Sequence, residues 1–315
     1  MNFRHTILTI IITALVTGLN AQSLNSVGKA YYKANDLMEE GDTLKAIEKY
    51  IECAEKSAAV GELGECIKIK AETRLLEFYL NESIDKLNRN KFEEALAALV
   101  MAETYADSIG DPDISSSILD KRLETYIRNG DYYYSRTKYK NAVEMYLTAL
   151  EIKEESVDAY YGLVLSYIKL DESLKMEEAE KMIRKYSDDA ALKQKTRSTI
   201  AAYYKKKCKQ ALADEKYNIV TSMASKNLSY GSKDPEVYYF FAKASNMKEE
   251  WAPAENAALK AIQIGGDDLP DYYFELGRAY EGQGKTEKAC EAYLQVSTGL
   301  NALPAIKRIK ELNCE

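Results

Sequence analysis

A chain of 315 residues with one histidine and five cysteines has few ways to do chemistry. The histidine is His5, inside a segment that reads as a leader, so the mature chain has none. A Ser-His-Asp or Cys-His nucleophile cannot then be assembled, and neither can a zinc or iron site that uses imidazole. Cys53, Cys66, Cys208, Cys290 and Cys314 form no CxxC, which leaves thioredoxin-like exchange and zinc ribbons without support. The acidic pairs Glu39-Glu40, Glu154-Glu155, Asp188-Asp189 and Asp267-Asp268 fall at turns or helix starts, where capping and the helix dipole favour them. Glycoside hydrolysis needs two carboxylates opposed across a cleft, and no spacing here shows such a pair. "GDPD" and "GGDDLP" lack the spacing of a calcium loop, and there is no P-loop or GxGxxG. The expectation is a non-catalytic protein without cofactor or metal.

The elements that must position any binding groups follow from composition. Apolar residues make up 46% and charged residues 30%, enough for a large core. Glycine and proline are scarce, with 15 and 5 copies, which disfavours a turn-rich β fold. Tyrosine has 25 copies against 6 Phe and 1 Trp; a ring with a polar tip suits helix seams whose edge reaches water. A net charge of −7 argues against nucleic acid as partner. Arg4 and His5, the apolar run "TILTIIITALVTGL" and the small Ala21 read as a signal peptide spanning residues 1–21. The alternative is a retained anchor, but the run is short for a full span. No Cys stands at the cleavage point, so lipidation there has no acceptor. The mature chain is expected to be exported, periplasmic or secreted, and not membrane-spanning.

Beyond that segment, breaks such as "EEGD", "IGDPD", "RNGD" and "EGQGK" separate amphipathic stretches with apolar residues at i, i+3, i+4 and i+7. Asp234-Pro235 places an N-cap before a first-turn proline, and Pro270 does the same after Leu269. The stretches pair into hairpins, and the hairpins repeat. Tyr273, Leu276, Gly277 and Tyr280 precede Ala289 and Tyr293; Tyr126, Gly130 and Tyr133 precede Ala142 and Tyr146 at the same offsets. Tyr238 and Ala242 lead to Ala254 and Ala258, and Tyr204 and Cys208 lead to Val220 and Ala224. Tyr160 and Tyr167 lead to Ala179 and Ile183 with about three extra residues in the turn. Tyr79 leads to Ala95, and Ala34 to Ala46 and Tyr50.

This pattern resembles the tetratricopeptide repeat, W-x2-L-G-x2-Y followed by A-x3-F, over most of residues 27–298. The resemblance implies an all-α, right-handed α-solenoid of about seven stacked helix hairpins with a C-terminal capping helix. Residues 22–110 read as degenerate hairpins with longer helices, 111–298 as regular repeats, and 299–315 as the cap, with Ile306, Ile309 and Leu312 on one side. Such arrays resemble a curved superhelix whose first helices line a concave groove. Counting from the tyrosines, groove positions fall on Lys205 and Lys209, on Tyr239 and Lys243, and on Phe274 and Arg278, with Asn246 a little further along and Tyr161 extending the aromatic set. The implied function is a scaffold that holds a protein or peptide, acidic or with a C-terminal carboxylate, an envelope or secretion complex being one setting for it. A solvated cationic face is the plainer reading of the same residues. A glycan or small ligand stacked on the rings is the alternative function. In an oxidising compartment Cys290, after Ala289, is expected to pair with Cys314, at the end of the helix that packs on it. A second pair, Cys53 with Cys66, is left open, and Cys208 reads as a core thiol.

Overall fold

The hairpins are made at their turns. A computed structural model describes residues 23–58, 60–266 and 268–314, and the expected leader lies outside them. Among the described residues the regular elements are all α-helices: α1 (23–39), α2 (Thr43–Ala58), α3 (Glu62–Asn88), α4 (Phe92–Ile109), α5 (Pro112–Ser135), α6 (Tyr139–Ile152), α7 (Val157–Leu170) and α8 (Ser173–Tyr186). They continue with α9 (Ala190–Ala213), α10 (Tyr217–Ser229), α11 (Pro235–Met247), α12 (Trp251–Ile264), α13 (Leu269–Gly282), α14 (Thr286–Leu294) and α15 (Ala302–Glu311). Every odd helix from α1 to α13 ends on a left-handed residue: Gly41, Asn90, Thr137, Asp171, Glu215, Glu249 or Gly284. The residue after it returns its N–H to a carbonyl five positions back at 2.8–3.0 Å, as Lys138 does to Tyr133 and Lys285 to Tyr280. This closure satisfies an orphan carbonyl of the finished helix and turns the chain back on itself.

The turn sets the register of the helix that follows. Four residues on stand Ala46, Ala95, Ala142, Met176, Val220, Ala254 and Ala289, all fully buried. In the fourth hairpin this corrects the sequence reading: the position belongs to Met176, not Ala179, and the turn carries no extra residues. The irregular spacing comes from long first helices, α3 with 27 residues and α5 and α9 with 24 each. Long helices are therefore not confined to the N-terminal half. Asp111, Asp189 and Asp234 cap α5, α9 and α11 with their side chains, and Pro112 and Pro235 follow two of them. Pro270 lies in the first turn of α13, where Asp268 makes no such cap.

The chain forms two compact units, Met1–Ser166 and Tyr167–Glu315, dividing inside α7. In the first, the ring of Tyr146 lies against both Gly130 and Gly162; a Cβ on Gly130 would stand 2.5 Å from it. Its hydroxyl donates to Asp131 at 2.7 Å. In the second, Tyr293 fills the same register against Gly277 and donates to Glu281 at 2.9 Å. Removing such a ring from water contributes on the order of 2–3 kcal/mol. Ala305, Ile309 and Leu312 seat α15 on Tyr293 and Val296, whereas Ile306 faces outward with 46% of its surface exposed.

Candidate partner-binding surfaces

Of the cations expected in the groove, Lys205 and Arg278 already have carboxylate partners. Among all the expected groove residues, Tyr161 belongs to the first unit and the others to the second. Lys205, on α9, is held by Asp234 Oδ2 at 2.5 Å and Glu236 Oε2 at 2.6 Å. Burial pulls its ammonium pKa down, but the two carboxylates outweigh that and leave it above the usual lysine value. Asp234 caps α11 with its other oxygen, so one carboxylate fixes the start of α11 to α9. Lys209 is exposed and, among the described residues, has no ion-pair partner.

Lys243 and Arg278 attend a carboxylate that sequence reasoning missed. Glu275, on α13, is 1% exposed. Its Oε2 accepts from Asn246 Nδ2 at 2.8 Å and from Arg278 Nη1 at 3.3 Å. Asn246 is itself buried and also donates to the Glu275 backbone carbonyl at 2.8 Å, which ties α11 to α13. Burial pushes the Glu275 carboxyl above its usual range, opposed by Arg278, the Asn246 bond and the charge of Lys243. Lys243 Nζ donates to Tyr239 Oη at 3.3 Å. Tyr239 is pushed up by burial first and by Glu275 and Asp271 next, and its ring packs 5.7 Å from that of Tyr272. The only signal for Glu275 was its place one residue before Leu276, on the inward side of the helix.

Two clefts flank first helices. In the second unit a cleft of about 400 Å³ opens between α13 and α15, lined by Trp251, Phe274, Arg278, Glu281, Tyr293 and Arg308. Arg308 Nε donates to Glu281 Oε2 at 3.0 Å, and its other nitrogens reach Glu281 and Glu311. In the first unit a larger cleft of about 730 Å³ opens between α1 and α3, floored by Met38, Tyr50 and Phe78. Its α3 wall carries Arg74, Glu77, Asn81, Glu82 and Asp85, one stripe at helical spacing.

The cysteines sort by burial and proximity. Cys290 and Cys314 sit with Cα atoms 5.5 Å apart and their sulfurs in bonded position, tying the chain after α15 to α14. Cys53 and Cys66 do not pair: Cys53 is buried with its thiol toward the Val27 carbonyl at 3.6 Å, and Cys66 is exposed. Cys208 is a free buried thiol, pushed up to about 12 by desolvation. No group of His, Cys, Asp and Glu among the described residues is arranged to hold a metal. No described helix is long and apolar enough to cross a membrane.

Comparison with known proteins returns the same repeat. Residues 130–171, from the end of α5 through α7, match the TPR repeat family model. No curated protein matches the chain. Among solved structures it is similar to YrrB, a TPR protein with an unusual peptide-binding site, at 16% identity and TM-score 0.37 over 60% of this chain and 97% of that one. A tetratricopeptide repeat protein from Parabacteroides merdae ATCC 43184 is 18% identical over 93% of this chain and 99% of its own, with a TM-score of 0.30. The TPR2AB domain of yeast Sti1, solved in complex with pHSP90, is 15% identical over 91% and 97%, with a TM-score of 0.33.

Proposed function

We propose that the chain, whose residues 130–171 match the TPR repeat family model, is an exported, non-catalytic scaffold that docks a protein or peptide partner on the first helices of its hairpins. The observation that carries the reading is the cleft at α13 and α15. It gathers two of the expected residues, Phe274 and Arg278, with two that the sequence did not indicate, Trp251 and Arg308. Rings and guanidinium groups on a fixed helical wall suit a peptide with an apolar side chain and a carboxylate. Arg278 is part-exposed and its bond to Glu275 is long, at 3.3 Å, so its guanidinium can also reach such a carboxylate. Fold alone does not name the partner.

The glycan alternative loses ground on the same geometry. Tyr239 does not offer an open stacking face: it is half-buried against Tyr272, with Lys243 5.6 Å from its ring centre.

Affinity capture from native envelope extracts tests the cleft, with the wild-type chain beside a Phe274→Ala/Arg278→Glu variant of matching circular dichroism. Loss of the captured partner by the variant supports the reading, and undiminished capture overturns it. Export is tested by fractionation: a chain starting at Gln22 in periplasm or medium is expected, and a full-length cytoplasmic product would refute it.

A further inference from the structure

The first unit offers a surface of opposite chemistry. On α3 the side chains facing α1 include Glu77, Phe78, Asn81, Glu82 and Asp85, and α1 adds Glu39 from across the cleft. Their cationic neighbours neutralise them only in part. Arg74 pairs with Glu77 at 2.9 Å with both side chains more than half exposed, and Arg89 pairs with exposed Asp85 at 3.0 Å. Lys86 is 3.7 Å from Glu82 but closer, at 3.0 Å, to Glu94 on α4. Glu39 has no ion-pair partner among the described residues. Exposed pairs of this kind offset little of the field. The wall is therefore net acidic, with the apolar surface of Met38 and Phe78 beneath it.

One polar group is already oriented for a ligand. Tyr50 Oη donates to Asn35 Oδ1 at 2.6 Å, which fixes the amide and leaves Nδ2 as a donor on the cleft. The cleft's volume of about 730 Å³ is within the usual range for bound ligands.

We propose that the cleft between α1 and α3 docks a basic peptide segment bearing an aliphatic or aromatic anchor. The anchor rests on Met38 and Phe78, lysine or arginine side chains meet Glu39, Glu77 and Glu82, and Asn35 Nδ2 donates to a peptide carbonyl. This rests on the scaffold reading and gives the first unit a partner chemistry that the α13–α15 cleft does not have. The chain's net charge of −7 favours encounter with such a segment.

The test uses the whole mature chain and two labelled twelve-residue peptides, one with Lys, Arg and Leu, the other with Glu, Leu and a free C-terminal carboxylate. Fluorescence anisotropy is read on the wild type, on Glu77→Lys/Glu82→Lys/Asp85→Lys, and on Glu178→Lys/Glu287→Lys/Glu291→Lys, which changes net charge equally in the other unit. The basic peptide is expected to bind the wild type and the distal variant alike, and the groove variant at least roughly tenfold more weakly. Phe78→Ser, in the otherwise native groove, is expected to weaken it as well. Equal loss in both triple variants would show only non-specific attraction, and unchanged binding to the groove variant would place the peptide elsewhere; either overturns the proposal. Binding of the acidic peptide that is lost in Phe274→Ala/Arg278→Glu leaves the scaffold reading standing even then, so the two failures are distinguishable.

Discussion

The α1–α3 cleft and the α11–α13 surface are built from the same kind of element, first helices of adjacent hairpins, and both carry acids and bases. They differ in where the carboxylates sit. In the second unit Glu275 is inside and accepts from Arg278, with the charge of Lys243 acting on it, and Lys205 is held by Asp234 and Glu236, so most of the cations that a linear count assigns to a groove are partly neutralised within the scaffold, Lys209 excepted. In the first unit Glu77, Asp85 and Glu39 are exposed on the outer stripe, and the ion pairs made there by Glu77 and Asp85 among the described residues are short helical ones, to Arg74 and Arg89. Groove charge counts for binding only after the scaffold's own counter-charges are subtracted. On that measure the acidic cleft is more available to a ligand than the cationic ladder.

Equivalent hairpin packing underlies both surfaces. Tyr50 and Tyr293 occupy the same register, four residues after Ala46 and Ala289, and each lines its cleft while donating to a first-helix side chain. Tyr50→Ala and Tyr293→Ala should each cost roughly 3–5 kcal/mol in urea unfolding, from lost burial plus the cavity left behind. A cost below about 1 kcal/mol at either site would break the equivalence.

The next effect belongs to the second unit alone. Cys290 and Cys314 are separated by 24 residues, and a cross-link over that span stabilises by roughly 3 kcal/mol in the chain-entropy account. Cys314→Ser should lower the unfolding midpoint and loosen α15, one wall of the second cleft, without changing basic-peptide binding at the first. Intact mass before and after reduction gives the direct check: a gain of two hydrogens is expected, and none would remove the bond.

Glu275→Gln tests the difference in buried charge by its sign. Burial raises the folded-state pKa of Glu275 above the unfolded value, so the native state binds the proton more tightly. Its contribution is thus most favourable below the usual value near 4.5 and declines as pH rises from there through the raised folded value. The glutamine variant should lose that decline while keeping the amide contact with Asn246. It should also bind the acidic peptide more strongly, since Arg278 then has no inner carboxylate. An unchanged pH profile, read as urea midpoints across the acid range, would mean that Glu275 titrates as an exposed acid.

The hairpin architecture was legible because size is a packing constraint: a glycine at 130 or 277 and a tyrosine at 146 or 293 are two sides of one contact. The fourth hairpin misled for the same reason. A search for a small residue found Ala179, while the register is set by the turn at Asp171, after which Met176 fills the position and Glu180, 2% exposed, takes the place of the ring. Buried acids are the least legible feature, since a glutamate on a helix ordinarily reads as solvated. The α3 stripe was present as spacing, but which face was open depended on where α1 packs. Cys290 and Cys314 could be brought together on paper because both lie at the end of the chain, where one short helix decides the geometry.

The smallest expected effect addresses the turns common to both units. Thr137 and Glu249 occupy the same left-handed position, at φ 61° each, that Gly41 and Gly284 fill elsewhere. The left-handed region brings Cβ close to the following carbonyl, and a β-branched side chain is the worst placed there. Glycine removes that strain but gains entropy in the unfolded chain, so the net gain is less than the full conformational cost. Thr137→Gly should stabilise by about 1 kcal/mol and Glu249→Gly by less, each read as a shift in urea midpoint with unchanged slope. The order matters more than the size. If Glu249→Gly gains more than Thr137→Gly, the turns of the two units do not share one backbone geometry, and the register that places Tyr50 and Tyr293 in equivalent positions loses its basis.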